Sequence, residues 1–500
     1  MKEKARRIAY PLAFLAFAFV VALNTAYSSR PLDSDALFLI ENGRYILENG
    51  IPHTNPWASV EGLGIIIQQP LCSILNYLWS SLFGLQGMWA LAILENAVLL
   101  ACLVVFGRLF CKDTGYLLEG VAIFEIFAGS LGIVTTRPYQ LTIAVSLLFL
   151  TSLVNFKRSK KTGKDRAVLT ASVFALSLFQ ANYQAAFVPM LALWSACFFA
   201  PDLSGAFQEL GQRRPMSAVR CAARSFVNNL GDLWTVPVAY LFAVICNPYG
   251  LNGAAYLLKS REAMSMVGAM ISEVRSPEMS SAIHMGLVLG TLVSVYFLRK
   301  KLPSWQIYMA LGCDLLVCMS HRNAWMGAVA LLSTVLVKLG ELKRPEGKRR
   351  PKLEAVLLTF AVVFPALCIV DCLSKPADIS SVYDSAVVSY LDENAKKGTE
   401  IYTTFNNGAV LEYAGYRVFM DARPELFTPD ITGGRNVLKE WYEVEYGDAD
   451  PGEFLTESGF EYCYVGKDSR TELALRYGGL GYELVCSGEC GELYRKTDDN

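Results

Sequence analysis

The chain has 500 residues, of which 53% are apolar and only 18% charged, with a mean hydropathy of +0.32. That balance excludes an ordinary soluble protein and indicates a polytopic membrane chain. The formal net charge of −1 hides basic loops in the apolar part and an acid-rich tail, which argues against a nucleic-acid partner. Thirteen cysteines form no CxxC pair. Most lie in apolar runs, such as Cys102, Cys197, Cys246, Cys313 and Cys368, as packing residues do.

In chain order, MKEKARR precedes an apolar run at 8–27 with no small-residue cleavage site after it, so the run reads as a retained first helix. Further spans of suitable apolarity are expected at 88–107, 115–134, 138–155, 167–181, 185–200, 233–247, 282–298, 303–320, 323–340 and 353–372. The basic clusters are MKEKARR, Arg108 with Lys112, 157–166, Arg213 to Arg224, 299–301 and 343–352. Placing all six in the cytoplasm gives about eleven spans, a cytoplasmic N-terminus and an exported tail. The absence of an N-x-Ser/Thr sequon and the dense basic inner loops suit a prokaryotic plasma membrane. Residues 65–84 are long enough to span, but spanning would invert everything after them, and Gln68-Gln69-Pro70 suits hydrocarbon poorly. An outer-face or re-entrant helix is expected there.

This topology collects polar residues on the outer side. The first outer loop holds Asp33, Asp35, Arg44 and His53 around an amphipathic helix that Asn49-Gly50 and Pro52 terminate. Asp33 can cap that helix and Asp35 can favour its dipole. Alternatively, one of the two carboxylates accepts a proton from a hydroxyl nucleophile. Later outer turns supply Arg137, Asn182, Gln184, Asn247, Glu273 beside Arg275, and His321-Arg322-Asn323. Arginine offers a fork suited to phosphate, and it also serves as a snorkelling anchor at a helix end. Asn182 and Gln184 can equally satisfy loop backbone, and Asn-Pro-Tyr-Gly at 247–250 is a turn by composition.

After about residue 378 the pattern changes to a helix (SVYDSAVVSYLDENA), strand-like runs EIYTTF, YRVFMDA and FEYCYVG, a helix RTELALRYGG and a closing hairpin. The expected architecture is therefore a transmembrane domain over 1–374, with an outer loop at 28–87, and an extracytoplasmic α/β domain over 375–500. Asp421 and Arg423 can form an internal ion pair or recognise an acceptor. Cys486 and Cys490 flank a turn and can close a hairpin disulfide. No GxGxxG after a strand and no Walker loop supports nucleotide chemistry. The sequence demands no cofactor, although a carboxylate pair can hold a divalent metal.

In this order the motifs resemble a group of prokaryotic polytopic proteins that look related to the C-type (GT-C) membrane glycosyltransferases and protein mannosyltransferases. An acidic pair followed by G-x-x-I-L-x-x-G-x-I-P is matched at Asp33, Asp35, Gly43, Ile46, Leu47, Gly50, Ile51 and Pro52. Arg137-Pro138, Asn182, Asn247 to Gly250, Glu273 and Arg322-Asn323 follow, and the tail matches at Asn406, Gly408, Asp421 and Arg423. Three positions depart from the pattern: Leu39 and Gln184 stand where histidine is common, and Asn55 stands where an acid is usual. The resemblance implies a polyprenyl-phosphate sugar donor, an acidic general base in the first outer loop, and basic groups on the lipid phosphate. Membrane lipids are the other expected partner. A non-catalytic lipid-linked-glycan binding protein is the alternative, motivated by the three departures. A transporter is the third reading, for which Glu95, Glu125 and Asp314 are charges within spans and Glu95 with Glu125 the candidate relay.

Overall fold

The structure is a computed structural model that describes residues 2–29, 32, 34–85, 87–202, 204–268, 271, 276–277, 281–342, 351–374 and 383–497. α1 (Lys2–Ser29) is followed by α2 (Ser34–Asn49), α3 (Pro70–Phe83), α4 (Gly87–Gly107), α5 (Thr114–Ser130), α6 (Tyr139–Arg158), α7 (Gly163–Tyr183) and α8 (Val188–Phe199). α9 (Ser204–Gly211) and α10 (Pro215–Leu233) lead to α11 (Thr235–Ile245) and the short α12 (Leu251–Ala254), α13 (Tyr256–Lys259) and α14 (Arg261–Val267). α15 (Ala282–Leu298), α16 (Ser304–Met319), α17 (Ala324–Leu339) and α18 (Pro351–Ser374) close the apolar part. Each of the eleven expected stretches overlaps a helix.

The chain divides into two compact units. The first comprises Met1–Ser29, Ala92–Asn247 and Met270–Lys375. In it α1 packs on α5 and α18, α7 on α6 and α11, and α15 and α16 on α17. Ile8–Tyr27, Gly87–Gly107, Tyr139–Arg158 and Lys352–Asp371 are each long and apolar enough to cross a membrane, and Ala185–Phe199 with Ser204–Gly211, bent by 43°, adds a fifth if the pair is one span. α11, α15 and α16 are apolar but hold only 11, 17 and 16 residues. At about 1.5 Å per residue they fall short of a ~30 Å hydrocarbon layer. The basic stretch Arg213 to Arg224, expected as a loop, is largely the amphipathic helix α10, which exposes Val219, Phe226 and Val227 as well as its arginines. Such a helix suits a membrane surface better than a water-exposed loop.

The second unit comprises Arg30–Leu91, Pro248–Ala269 and Pro376–Asn500. The tail holds α19 (Ser385–Asn394), α20 (Gly408–Tyr413), α21 (Pro429–Thr432), α22 (Val437–Glu445), α23 (Pro451–Ser458) and α24 (Arg470–Tyr477). Its strands are β1 (Glu400–Thr403), β2 (Arg417–Val418), β3 (Tyr462–Val465), β4 (Tyr482–Ser487) and β5 (Glu492–Lys496), in the order β2-β1-β3-β5-β4. β1 runs parallel to β2 and β3, and the closing hairpin is antiparallel. The expected strands and the two flanking helices are present. α20 to α23, short and interrupted by Gly and Pro, have no periodicity long enough to read from sequence.

The first outer loop belongs to the same core as this sheet. Leu32, Ala36, Leu37 and Ile40 are buried with Val387, Leu391, Ile401, Val410, Val418, Tyr462 and Leu493. Beyond α2 the chain runs along the open edge of β2, where Ala58 bridges Val418 in parallel and Arg417 Nε donates to the Ala58 carbonyl at 2.9 Å. The Gln68-Gln69-Pro70 segment opens α3 with proline at its start. Its 14 residues are too few to span, and α3 packs on α2. Gly43 permits that packing, since a Cβ there would lie 2.0 Å from the Ser73 carbonyl oxygen. Cys486 and Cys490, which can close a hairpin disulfide, are not joined to each other. The turn between them is held instead by Gly488 N–H on the Gly491 carbonyl at 2.8 Å, and by the Asp384 carboxylate, which accepts from Cys490 N–H and the Tyr464 hydroxyl.

Candidate functional site

The second unit contains a buried charge cluster that joins two segments far apart in sequence. Arg423, which leaves β2 through Asp421, donates from Nε to Asp421 Oδ2 at 3.0 Å and from Nη2 to both Asp421 and Glu412 Oε2, the latter at 2.5 Å. Its Nη1 reaches Asn42 Oδ1 on α2 at 3.2 Å, and the guanidinium lies 4.6 Å from the centre of the Phe38 ring. Asp421 and Glu412 are 0% and 1% exposed and Arg423 is 7% exposed. Gly408 makes this approach possible, because a Cβ there would lie 2.2 Å from the Met420 carbonyl oxygen and 2.9 Å from Asp421.

Burial, with Asp421 alongside, pushes the Glu412 carboxyl well above its ordinary range despite Arg423. One guanidinium therefore faces two buried carboxyl groups, and burial beside Asp421 favours the neutral form of Glu412. Of the two expectations for Asp421 and Arg423, the internal ion pair is observed. Glu412, absent from the sequence reading, completes it.

The described first-loop candidates sit on α2 or just beyond its end. Asp35 is half-buried in the first turn of α2. Arg44 grips Glu41 with two bonds of 2.8 Å, which raises its already high pKa, and Glu41 also accepts from Trp57 Nε1 at 3.2 Å. His53 is exposed, with its ring edge-on to Tyr249 at 5.5 Å, while the Tyr249 hydroxyl donates to the Pro52 carbonyl at 3.0 Å. The Asn-Pro-Tyr-Gly turn thus has a packing role on the loop. Asp33 and Glu273 lie outside the described residues.

In the first unit, Asn182 at the end of α7 donates to the Leu178 carbonyl at 2.8 Å and to the Cys246 carbonyl at 3.1 Å, bringing it beside the end of α11, where Asn247 donates to the Val244 carbonyl. Gln184 is buried and accepts from Thr142 at 2.6 Å. Arg137 is half-buried ahead of α6. His321, Arg322 and Asn323 form one 3-10 turn between α16 and α17, in which Arg322 is exposed and Asn323 donates to the Leu316 carbonyl at 2.9 Å.

His321 Nδ1 lies 3.2 Å from His284 Nε2, with the two rings perpendicular at 4.5 Å, and His284 Nδ1 lies 2.6 Å from Ser281 Oγ. Neither His284 nor Ser281 was singled out from sequence. The available signal was scarcity, since the chain has only three histidines and His284 stands in the first turn of an expected span. Of the residues considered for a transporter relay, Glu95 accepts from Tyr183 and Glu125 from Asn96, each at 2.6 Å. Among the described residues no group of three or more His, Cys, Asp or Glu is arranged to hold a metal.

The fold is that of the C-type membrane glycosyltransferases. The archaeal oligosaccharyltransferase AglB from Archaeoglobus fulgidus, in complex with an inhibitory peptide and a dolichol-phosphate, matches 91% of this chain and 69% of its own at TM-score 0.56 and 12% identity. ArnT from Cupriavidus metallidurans in the apo state matches 96% of both chains at TM-score 0.53 and 13% identity. The same protein bound to undecaprenyl phosphate matches 97% and 98% at TM-score 0.50 and 11% identity. No family model and no curated protein matches the sequence.

Proposed function

We propose that the chain is a membrane glycosyltransferase that moves a sugar from a polyprenyl-phosphate carrier to a glycan, lipid or protein acceptor on the outer face of the plasma membrane. The observation that carries this reading is the correspondence of fold along nearly the whole chain with transferases whose structures hold dolichol-phosphate or undecaprenyl phosphate. In the proposed chemistry an acceptor hydroxyl attacks the anomeric carbon, the bond from that carbon to the phosphate oxygen breaks, and the lipid phosphate leaves. Asp35, or Asp33, takes the hydroxyl proton. Arg137, His321 and Arg322 serve the phosphate, for which charged donors are suited. Asn182, Gln184 and Asn247 shape the outer turns, and Arg44, His53, Glu273 and Asn323 are assigned to substrate binding. Transfer from labelled polyprenyl-phosphate sugars by wild type and Asp35→Asn is the test. A loss of about 10²- to 10⁴-fold is expected for a general base, and equal turnover would remove Asp35 from the mechanism.

A second reading, a lipid-linked-glycan binding protein without turnover, is favoured by the fate of the three departures. Leu39 is buried, Asn55 accepts from Trp57 N–H at 3.0 Å, and Gln184 is engaged by Thr142. All three serve structure. Carrier binding without transfer would support this reading.

A further inference from the structure

Ser281 occupies the N-cap of α15 but makes no capping bond, and its hydroxyl turns to the ring of His284 three residues on. A serine at this position ordinarily stabilises a helix by accepting from a backbone N–H. The helix forgoes that bond in favour of a side-chain chain, Ser281 Oγ to His284 Nδ1 to His284 Nε2 to His321 Nδ1, at 2.6 and 3.2 Å. Among the described residues the chain ends at His321, whose turn is itself capped by Ser320 accepting from Arg322 N–H. Ser276 adds a bond to the Met319 carbonyl at 3.2 Å, tying the preceding loop to the end of α16.

A neutral imidazole donates through one nitrogen and accepts through the other. Two arrangements therefore satisfy the two side-chain bonds, although the His321 backbone, which also accepts from the His284 ring, favours the first. In the first, Ser281 donates to His284, His284 donates to His321 Nδ1, and His321 carries its proton on Nε2. In the other every bond is reversed and His321 Nε2 is bare. A phosphate oxygen only accepts, so an anion at the turn of His321 and Arg322 selects the first arrangement.

We propose that His284 is a positioning residue that sets the tautomer of His321, so that Nε2–H and the adjacent Arg322 guanidinium recognise the phosphate of a lipid phosphomonoester. This rests on the proposed function and adds to it two residues, His284 and Ser281, that act through a third. Neither needs to touch the ligand.

The test is binding of undecaprenyl phosphate to the full chain in nanodiscs, for wild type, His284→Ala, His284→Gln and Ser281→Ala, with inorganic phosphate titrated in parallel. Loss of one charge-assisted donor predicts about tenfold weaker lipid binding for His284→Ala. Glutamine retains an N–H donor, so His284→Gln is expected to remain within about threefold of wild type, with Ser281→Ala between the two. Because the chain has three histidines, ¹⁵N-histidine labelling resolves the His321 ring directly. The lipid should fix its proton on Nε2 in wild type and in His284→Gln but not in His284→Ala. Lipid binding by wild type with undiminished binding by His284→Ala would overturn this inference alone. No lipid binding by wild type would overturn it together with the proposed function. An equal His284-dependent loss with inorganic phosphate would overturn the assignment to a lipid.

Discussion

Arg423 shows what one side chain does in this fold. Truncation to alanine would leave two buried carboxyl groups without a cation, and the expected cost is about 3–5 kcal/mol, as for other buried pairs broken from one side. A fall in the thermal unfolding midpoint of the purified chain, larger for Arg423→Ala than for Arg423→Lys, is the check. Glu412 carries a pH signature. Its carboxyl is held well above 4.5 by burial, so the folded chain keeps a proton that the unfolded chain has released. That contribution is complete below about pH 4.5 and is lost as pH rises through the folded-state value. Glu412→Gln removes it, and the unfolding midpoint of the variant should decline less than that of wild type between pH 5 and 9. Glu425 and Glu445 are also raised by burial, so some slope remains in both proteins. Identical slopes would contradict the assignment.

Elements here depend on close approach. α2 carries an apolar face into the tail core and, across Gly43, lets α3 come within contact of its backbone. Gly43→Ala should therefore cost about 1–3 kcal/mol through forced separation of the two helices, measurable as a lower unfolding midpoint or faster proteolysis. Gain of stability from the better helix former would show that the helices do not meet in this way. The motif pattern of the first loop, glycine at 43 and Ile-Pro at 51–52, is legible in the sequence as a turn-terminated helix. Its reason is not, because Ser73 and Tyr249, the groups that constrain it, arrive from other segments.

At the scale of the whole molecule, sidedness is the property on which the proposed chemistry depends. In the topology proposed from the basic clusters, the loops near Lys160 are cytoplasmic and the tail is outside. In a background with the native cysteines replaced, Glu457→Cys should react with an impermeant maleimide in intact cells, and Lys160→Cys should react only after lysis. The reverse pattern would remove Asp35 from the outer face. Both positions are exposed, so a lack of reaction reports sidedness rather than burial.

Hydrophobic runs and their basic flanks suffice to locate most of the apolar helices, because local apolarity and charge favour helices that can enter lipid. Alternation and turn residues likewise announce the tail strands and their closing hairpin. The order of motifs from Asp35 to Arg423 was readable for the same reason, since each is local. Only the tertiary structure paired Arg423 with Asn42 across 381 positions, placed His284 against His321 across 37, and ran residues 57–59 along β2. Such pairings come from side chains that share a burial site without sharing a stretch of sequence. Periodicity and composition carry no trace of them.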